Sequence, residues 1–168
     1  MVFAHGFGCD QHMWRHVAPR FEDDFQVVLF DLAGAGESDP GSYDPARYDS
    51  LAAYAEDVLV ICDELDLRQV IFVGHSVSAM IGVLAAVEAP DRFAKLVLVG
   101  PSPRYTDDGS YVGGFTAADI EDFASTHRSA MASDIDGAPV FLAKSAWEIG
   151  YVAERYPKVG FERTKERG

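Results

Sequence analysis

Three short runs in this chain are almost wholly apolar and rich in β-branched residues: Val27-Val28-Leu29-Phe30, Val70-Ile71-Phe72-Val73 and Leu96-Val97-Leu98-Val99. A strand with one wet face alternates apolar and polar residues, whereas a strand covered on both faces does not. Met1 to Ala4 reads as a fourth such run, shortened by the terminus. Helical patterns lie between the runs. Leu51, Tyr54, Ala55, Val58, Leu59, Cys62 and Leu65 fall three or four apart, with Asp49 or Ser50 placed to cap the helix. A second helix is predicted to begin after Ser76 and end before Pro90. Thr116 with Asp119 reads as a capping box opening a short helix. Alternating strands and helices predict an α/β fold, a parallel sheet with helices on both faces. Ligands on such sheets sit at the carboxyl ends of the strands, so the loops that follow the strands hold the chemistry.

The strongest of these loops is Gly74-His75-Ser76-Val77-Ser78, which directly follows one run and opens a helix. It is a nucleophile elbow of the G-x-S-x-G type, a sharp turn that lifts a serine hydroxyl clear of the sheet. Gly74 supplies the small neighbour that the turn needs, and Ser78 stands where a second glycine is usual. The helix start behind Ser76 offers N–H groups and a favourable dipole to developing negative charge. His5-Gly6-Phe7-Gly8 follows the first run. The backbone N–H groups of Phe7 and Val77 would together form an oxyanion hole. A third loop, Asp31 to Asp39, holds Gly34 and Gly36 but has Asp39 where a dinucleotide loop needs its last glycine, and it has no phosphate-binding lysine. It reads as a tight turn.

Charge narrows the partners. With 14 basic and 27 acidic residues the net charge is −13, which excludes non-specific nucleic-acid binding. No apolar run is long enough to span a bilayer, so no membrane role is expected. The start of the chain lacks signal-peptide features, which suggests a cytoplasmic protein. Cys9 and Cys62 read as packed thiols rather than a disulfide framework. No spacing suggests zinc. Asp134-Ile135-Asp136-Gly137 fails as a calcium loop because Ser145 stands where the bidentate glutamate belongs. The reading needs no metal and no cofactor. Trp14, Phe21 and Phe25 are assigned to the core, and His12 and His16 to a helix with partial exposure.

Taken together, the elbow, the oxyanion loop and the Gly34-Ala35-Gly36-Glu37-Ser38-Asp39 loop resemble the α/β-hydrolase superfamily. Gly6-Phe7-Gly8-Cys9-Asp10-Gln11, Trp14, Tyr43-Asp44 and Arg47-Tyr48 narrow the likeness to the RsbQ-type hydrolases, as do Phe72 to Gly82 and Val99 to Tyr105. That group holds a bacterial stress-response regulator and the plant receptors for strigolactones and karrikins. The resemblance covers about Val2 to Phe123. It implies Ser76 as nucleophile, Phe7 and Val77 as oxyanion donors, and Gly113-Gly114-Phe115 as the way into a helical lid, with Phe115 a pocket wall. His5 and His75 lie near the site, within reach of substrate, and the resemblance makes them framework positions. It also implies a small apolar ester- or lactone-like ligand and, from the bacterial members, a PAS-domain signalling phosphatase as partner.

The chain departs from the family in two places. It starts at what should be the third strand, and no acid and histidine of a triad can be placed after Ser76. His127 is the one histidine after Ser76 and falls at the start of the lid. Residues 1–123 therefore read as the hydrolase core and start of the lid, with early and late strands missing, and 124–168 as an unassigned tail. Charge shifts along the same axis, from 8 basic and 23 acidic side chains in residues 1–138 to 6 and 4 in 139–168. Truncation and a changed reading frame near Ala124 would account for both ends. The expected function is a serine hydrolase. The alternatives are a catalytically impaired ligand-binding signalling module and a truncated remnant.

Overall fold

The computed structural model describes residues 1–107, 109–116 and 118–120. Four strands, β1 (Val2–Ala4), β2 (Val28–Phe30), β3 (Val70–His75) and β4 (Phe93–Val99), form one parallel sheet in the order β2-β1-β3-β4. All four predicted runs are strands. β4 starts earlier than its apolar run, at Phe93, and exposed Ala94 and Lys95 interrupt the apolar pattern there. The two α-helices also match the periodicity: α1 spans Leu51–Glu64 and α2 spans Val77–Glu88. Ser50 occupies the cap position of α1, but its side chain makes no capping bond.

Strand pleating divides the apolar residues between two layers. Val2 and Ala4 of β1, with Val70 and Phe72 of β3, face α1 and α2 and build the main core around Tyr54, Val58, Met80 and Ile81. Phe3 and Val73 point the other way, into a smaller cluster with Trp14 and Ala18. The expected helical cover exists on both faces, but among the described residues the second face is covered by two short 3₁₀ helices, Gln11–Trp14 and Ala18–Phe21. Pro19 lies at the start of the second one, where its missing N–H costs nothing but where it prevents a longer α-helix from running through. Trp14 is buried and Phe21 partly so, whereas Phe25 is 41% exposed and touches Phe21 only edge-on, so it is not a core residue. His12 and His16 are exposed, as expected.

The sheet order sets the position of the site. From β1 the chain crosses to β2 on one side, and from β3 it crosses to β4 on the other. Neighbouring β1 and β3 thus send their connections apart, and a crevice opens between their carboxyl ends. At those two ends lie residues 5–10, after β1, and the turn at Ser76 between β3 and α2. The expected boundary at 123/124, the tail, His127 and Asp134-Ile135-Asp136 lie outside the described residues.

Candidate active site

Ser76 sits between β3 and α2 with φ 55° and ψ −119°, a left-handed conformation that disfavours any residue with a Cβ. The strain is held from two sides. The Ser76 N–H donates to the Val99 carbonyl at the end of β4, 2.8 Å away. The start of α2 presses against β3: a Cβ on Gly74 would lie 2.4 Å from the Ser78 carbonyl oxygen, so only glycine fits there. A serine at a helix start normally turns its hydroxyl back to cap the helix. Ser76 makes no such bond, and its Oγ lies 3.0 Å from the Tyr105 hydroxyl instead. The structure thus has the strand-to-helix turn expected from the sequence, with Ser76 strained and its hydroxyl not spent on the helix cap.

Ser78 does more than leave room. Its hydroxyl is fully buried and donates to the His5 carbonyl, fastening the elbow to the loop after β1. That loop is itself organised by His5, which is fully enclosed. Nδ1 donates to the Gly6 carbonyl at 2.9 Å and Nε2 accepts the Leu32 N–H at 3.0 Å. These two contacts assign the neutral ring with its proton on Nδ1. Burial lowers the His5 pKa, against the weaker opposing pull of the Gly6 carbonyl and of Asp31, whose carboxylate is 3.8 Å away. Asp31 accepts from the Gln11 N–H at 2.7 Å, from Gln11 Nε2 at 3.0 Å and from the Glu37 N–H at 2.9 Å. Burial alone would raise its pKa, but these hydrogen bonds outweigh it and hold the carboxyl below its ordinary value. The glycine-bearing loop after β2 is thus wrapped around Asp31, the tight turn expected from its sequence.

The other candidates fall as follows. Phe7 is half-buried against the core, and the Val77 side chain is buried at the first position of α2, where a helix leaves its N–H groups without intrahelical acceptors. His75 is half-buried, with Nδ1 enclosed and pressed against Gly6. Phe115 is 46% exposed, but its backbone pairs with the segment that carries Tyr105. The thiols of Cys9 and Cys62 are both pushed up by burial and are poor nucleophiles. Among the described residues no group of three or more His, Cys, Asp or Glu is placed to hold a metal ion, and no helix is long and apolar enough to cross a membrane. A surface groove of about 570 Å³ beside Arg68, Glu88 and Arg92 lies at the amino ends of β3 and β4, away from Ser76.

Sequence reasoning named Tyr105 only as part of a resemblance and gave it no role. Its contact joins residues 29 apart through a loop with no periodic signal. Among the described residues, the side chain hydrogen-bonded to the Ser76 hydroxyl is this tyrosine and not a histidine.

Comparison with known proteins agrees with this geometry. The chain is 49% identical over 129 residues to karrikin insensitive 2 receptor CA of Petunia hybrida, covering 77% of this chain and 48% of the receptor. It is 48% identical over 122 residues to a strigolactone esterase of Pisum sativum, covering 72% of this chain and 46% of the esterase. The chain thus spans about half the length of these curated relatives. A solved hydrolase from Oleispira antarctica superposes with a TM-score of 0.73 at 34% identity, covering 86% of this chain and 63% of that one. The family model for the alpha/beta hydrolase fold matches residues 1–134, and with the parallel sheet and the elbow already in place, the chain belongs to the α/β-hydrolase family.

Proposed function

We propose that Ser76 is the nucleophile of a serine hydrolase acting on a small, apolar ester- or lactone-like molecule. The observation that carries this reading is the left-handed Ser76, held by Val99 and Gly74 with its hydroxyl turned away from the helix it begins. Strain of this kind persists where surrounding structure enforces it, and reactive sites are where it concentrates. In the reaction, Ser76 Oγ bonds to the substrate carbonyl carbon while a base takes its proton. The carbonyl oxygen gains negative charge and turns to the N–H groups of Phe7 and Val77. The carbonyl re-forms as the ester C–O bond breaks, and the base returns its proton to the departing alcohol or enol. A water, giving its proton to the base, then attacks the acyl carbon, and Ser76 Oγ leaves with that proton. His5 has both ring nitrogens engaged within the fold, so its part is to hold the oxyanion loop in shape. Relatives named as an esterase and as a receptor support an ester or lactone as the substrate class.

A second reading is a ligand-binding signalling module in which hydrolysis is slow or lost. Two observations favour it: a relative at 49% identity is named a receptor, and the Ser76 hydroxyl meets a tyrosine rather than a histidine. In this reading a PAS-domain signalling phosphatase is the partner that responds to the bound ligand, within stress or signal regulation.

The test is incubation with a fluorophosphonate, peptide mapping of the label, and hydrolysis of a p-nitrophenyl ester, each with Ser76→Ala alongside. The enzyme reading expects a label on Ser76 and loss of both labelling and turnover in the variant. Turnover that survives Ser76→Ala would refute it. An unlabelled protein that still binds a lactone supports the signalling module.

A further inference from the structure

Tyr105 reaches Ser76 from a segment that is tied down far more firmly than its position in a loop suggests. Its carbonyl accepts the Phe115 N–H at 3.1 Å, and the Asp107 N–H donates to the Phe115 carbonyl at 2.9 Å, so Thr106 and Phe115 pair like two short strands. Thr106 between them is buried. The return of the chain is capped by Asp107, whose Oδ1 accepts the N–H groups of Gly113 at 2.8 Å and Gly114 at 3.0 Å. Gly113 fits so closely that a Cβ there would lie 2.5 Å from the Thr106 carbonyl oxygen. On the other side of Tyr105, the Arg104 carbonyl accepts from the Ser102 hydroxyl at 2.8 Å and the Tyr111 hydroxyl at 3.2 Å. Residues 104–107 are thus bonded to 111 and 113–115, and the tyrosine hydroxyl touches Ser76.

We infer that Tyr105 is a positioning residue for Ser76, held at its post by the bonds of Asp107 to Gly113 and Gly114. The inference rests on the reading of Ser76 as a nucleophile. In the resting protein either hydroxyl can donate to the other. When a base takes the serine proton, Oγ has no proton left to donate to the tyrosine, so the phenol becomes the donor. The contact therefore keeps Oγ in one orientation while its proton leaves, and orientation of a reacting atom contributes to the rate. The same bond engages the Ser76 hydroxyl with Tyr105 and not with the start of α2.

The experiment measures the rate of Ser76 phosphonylation by a fluorophosphonate for the wild type, Tyr105→Phe, Tyr105→Leu, Asp107→Ala and the Tyr105→Phe/Asp107→Ala pair. Circular dichroism and thermal unfolding are recorded for each variant to verify folding. Tyr105→Phe keeps the ring and removes the hydroxyl, and it is expected to slow labelling by about fivefold to tenfold, the size of one hydrogen bond. Tyr105→Leu is expected to be as slow as Tyr105→Phe. Asp107→Ala is expected to slow labelling less, and the double variant no more than Tyr105→Phe alone, because Asp107 acts only through the hydroxyl. A wild type that labels on Ser76 and a Tyr105→Phe that labels equally fast would overturn the inference and leave the nucleophile reading standing. The same holds if only Tyr105→Leu is slow, since the ring would then act by packing. A folded wild type that takes no label on Ser76 would remove both.

Discussion

At the scale of single residues, the proposed nucleophile stands in a strained conformation. Ser76 carries φ 55° beside a helix start that its own hydroxyl does not cap. Glycine adopts that conformation without the steric cost. Ser76→Gly is therefore expected to raise stability by about 1 kcal/mol, the lower end of what such strain costs, while abolishing phosphonate labelling. Thermal melts of the two proteins would show it, and a variant that melts at or below the wild-type temperature would mean the elbow is not strained. Ser76 was legible because a small residue, a serine and an apolar run on one side with a helix on the other leave few other interpretations. Ser78 was legible only as a space. Its buried hydroxyl bond to the His5 carbonyl spans 73 residues, and no local pattern encodes a contact of that reach.

At the scale of elements, the two loops beside the site are joined by side chains rather than by a shared helix or strand. His5 at the end of β1 accepts the Leu32 N–H after β2, and Asp31 gathers Gln11 and Glu37. Both ties respond to acid. Burial lowers the His5 pKa from 6.5, so below that value the unfolded chain takes up a proton that the folded chain resists. Stability then falls as the pH drops from 6.5 toward the folded value. Asp31 is depressed below 3.8, so it supports the fold above that value and its contribution is lost as the pH falls through the folded value. Melting temperatures are expected to decline in two stages, the first starting near pH 6.5. Titration of the ring carbons by NMR assigns the first stage: a His5 that protonates at 6.5 or above in the folded protein contradicts the argument. The strands, α1 and α2 were legible because each has a periodic or continuous apolar pattern. The 3₁₀ helices were read as a plain helix, since two four-residue turns are too short to show a period of their own. The capping box at Thr116 and Asp119 was legible from two residues and is formed, with both backbone N–H groups engaged.

At the scale of the molecule, the described residues fold as a sheet with unequal layers. The main core under α1 and α2 is extensive, while the opposite face rests on a small cluster in which Phe3 and Trp14 pack with ring centres 5.3 Å apart. Trp14 is the largest side chain in that cluster, so Trp14→Ala is expected to cost about 3–5 kcal/mol, typical of removing a buried aromatic group. A denaturant titration measures it, and a loss below about 1 kcal/mol would show that the second layer contributes little. The layer arrangement was legible from continuous apolar strands, but the strand order was not, because each run is equally apolar and none names its neighbour. That order has a consequence for how the protein comes into being. Ser76 is held by Val99 on one side and, through Ser78, by His5 on the other, so three strands must be in register before the elbow can close. Contacts of such long sequence separation form late, since the loop entropy must be overcome first. A chain emerging from the ribosome therefore carries no closed elbow until β4 has been made and docked, and, on the proposed role of Ser76, the first phosphonate labelling during refolding would time the completion of the sheet.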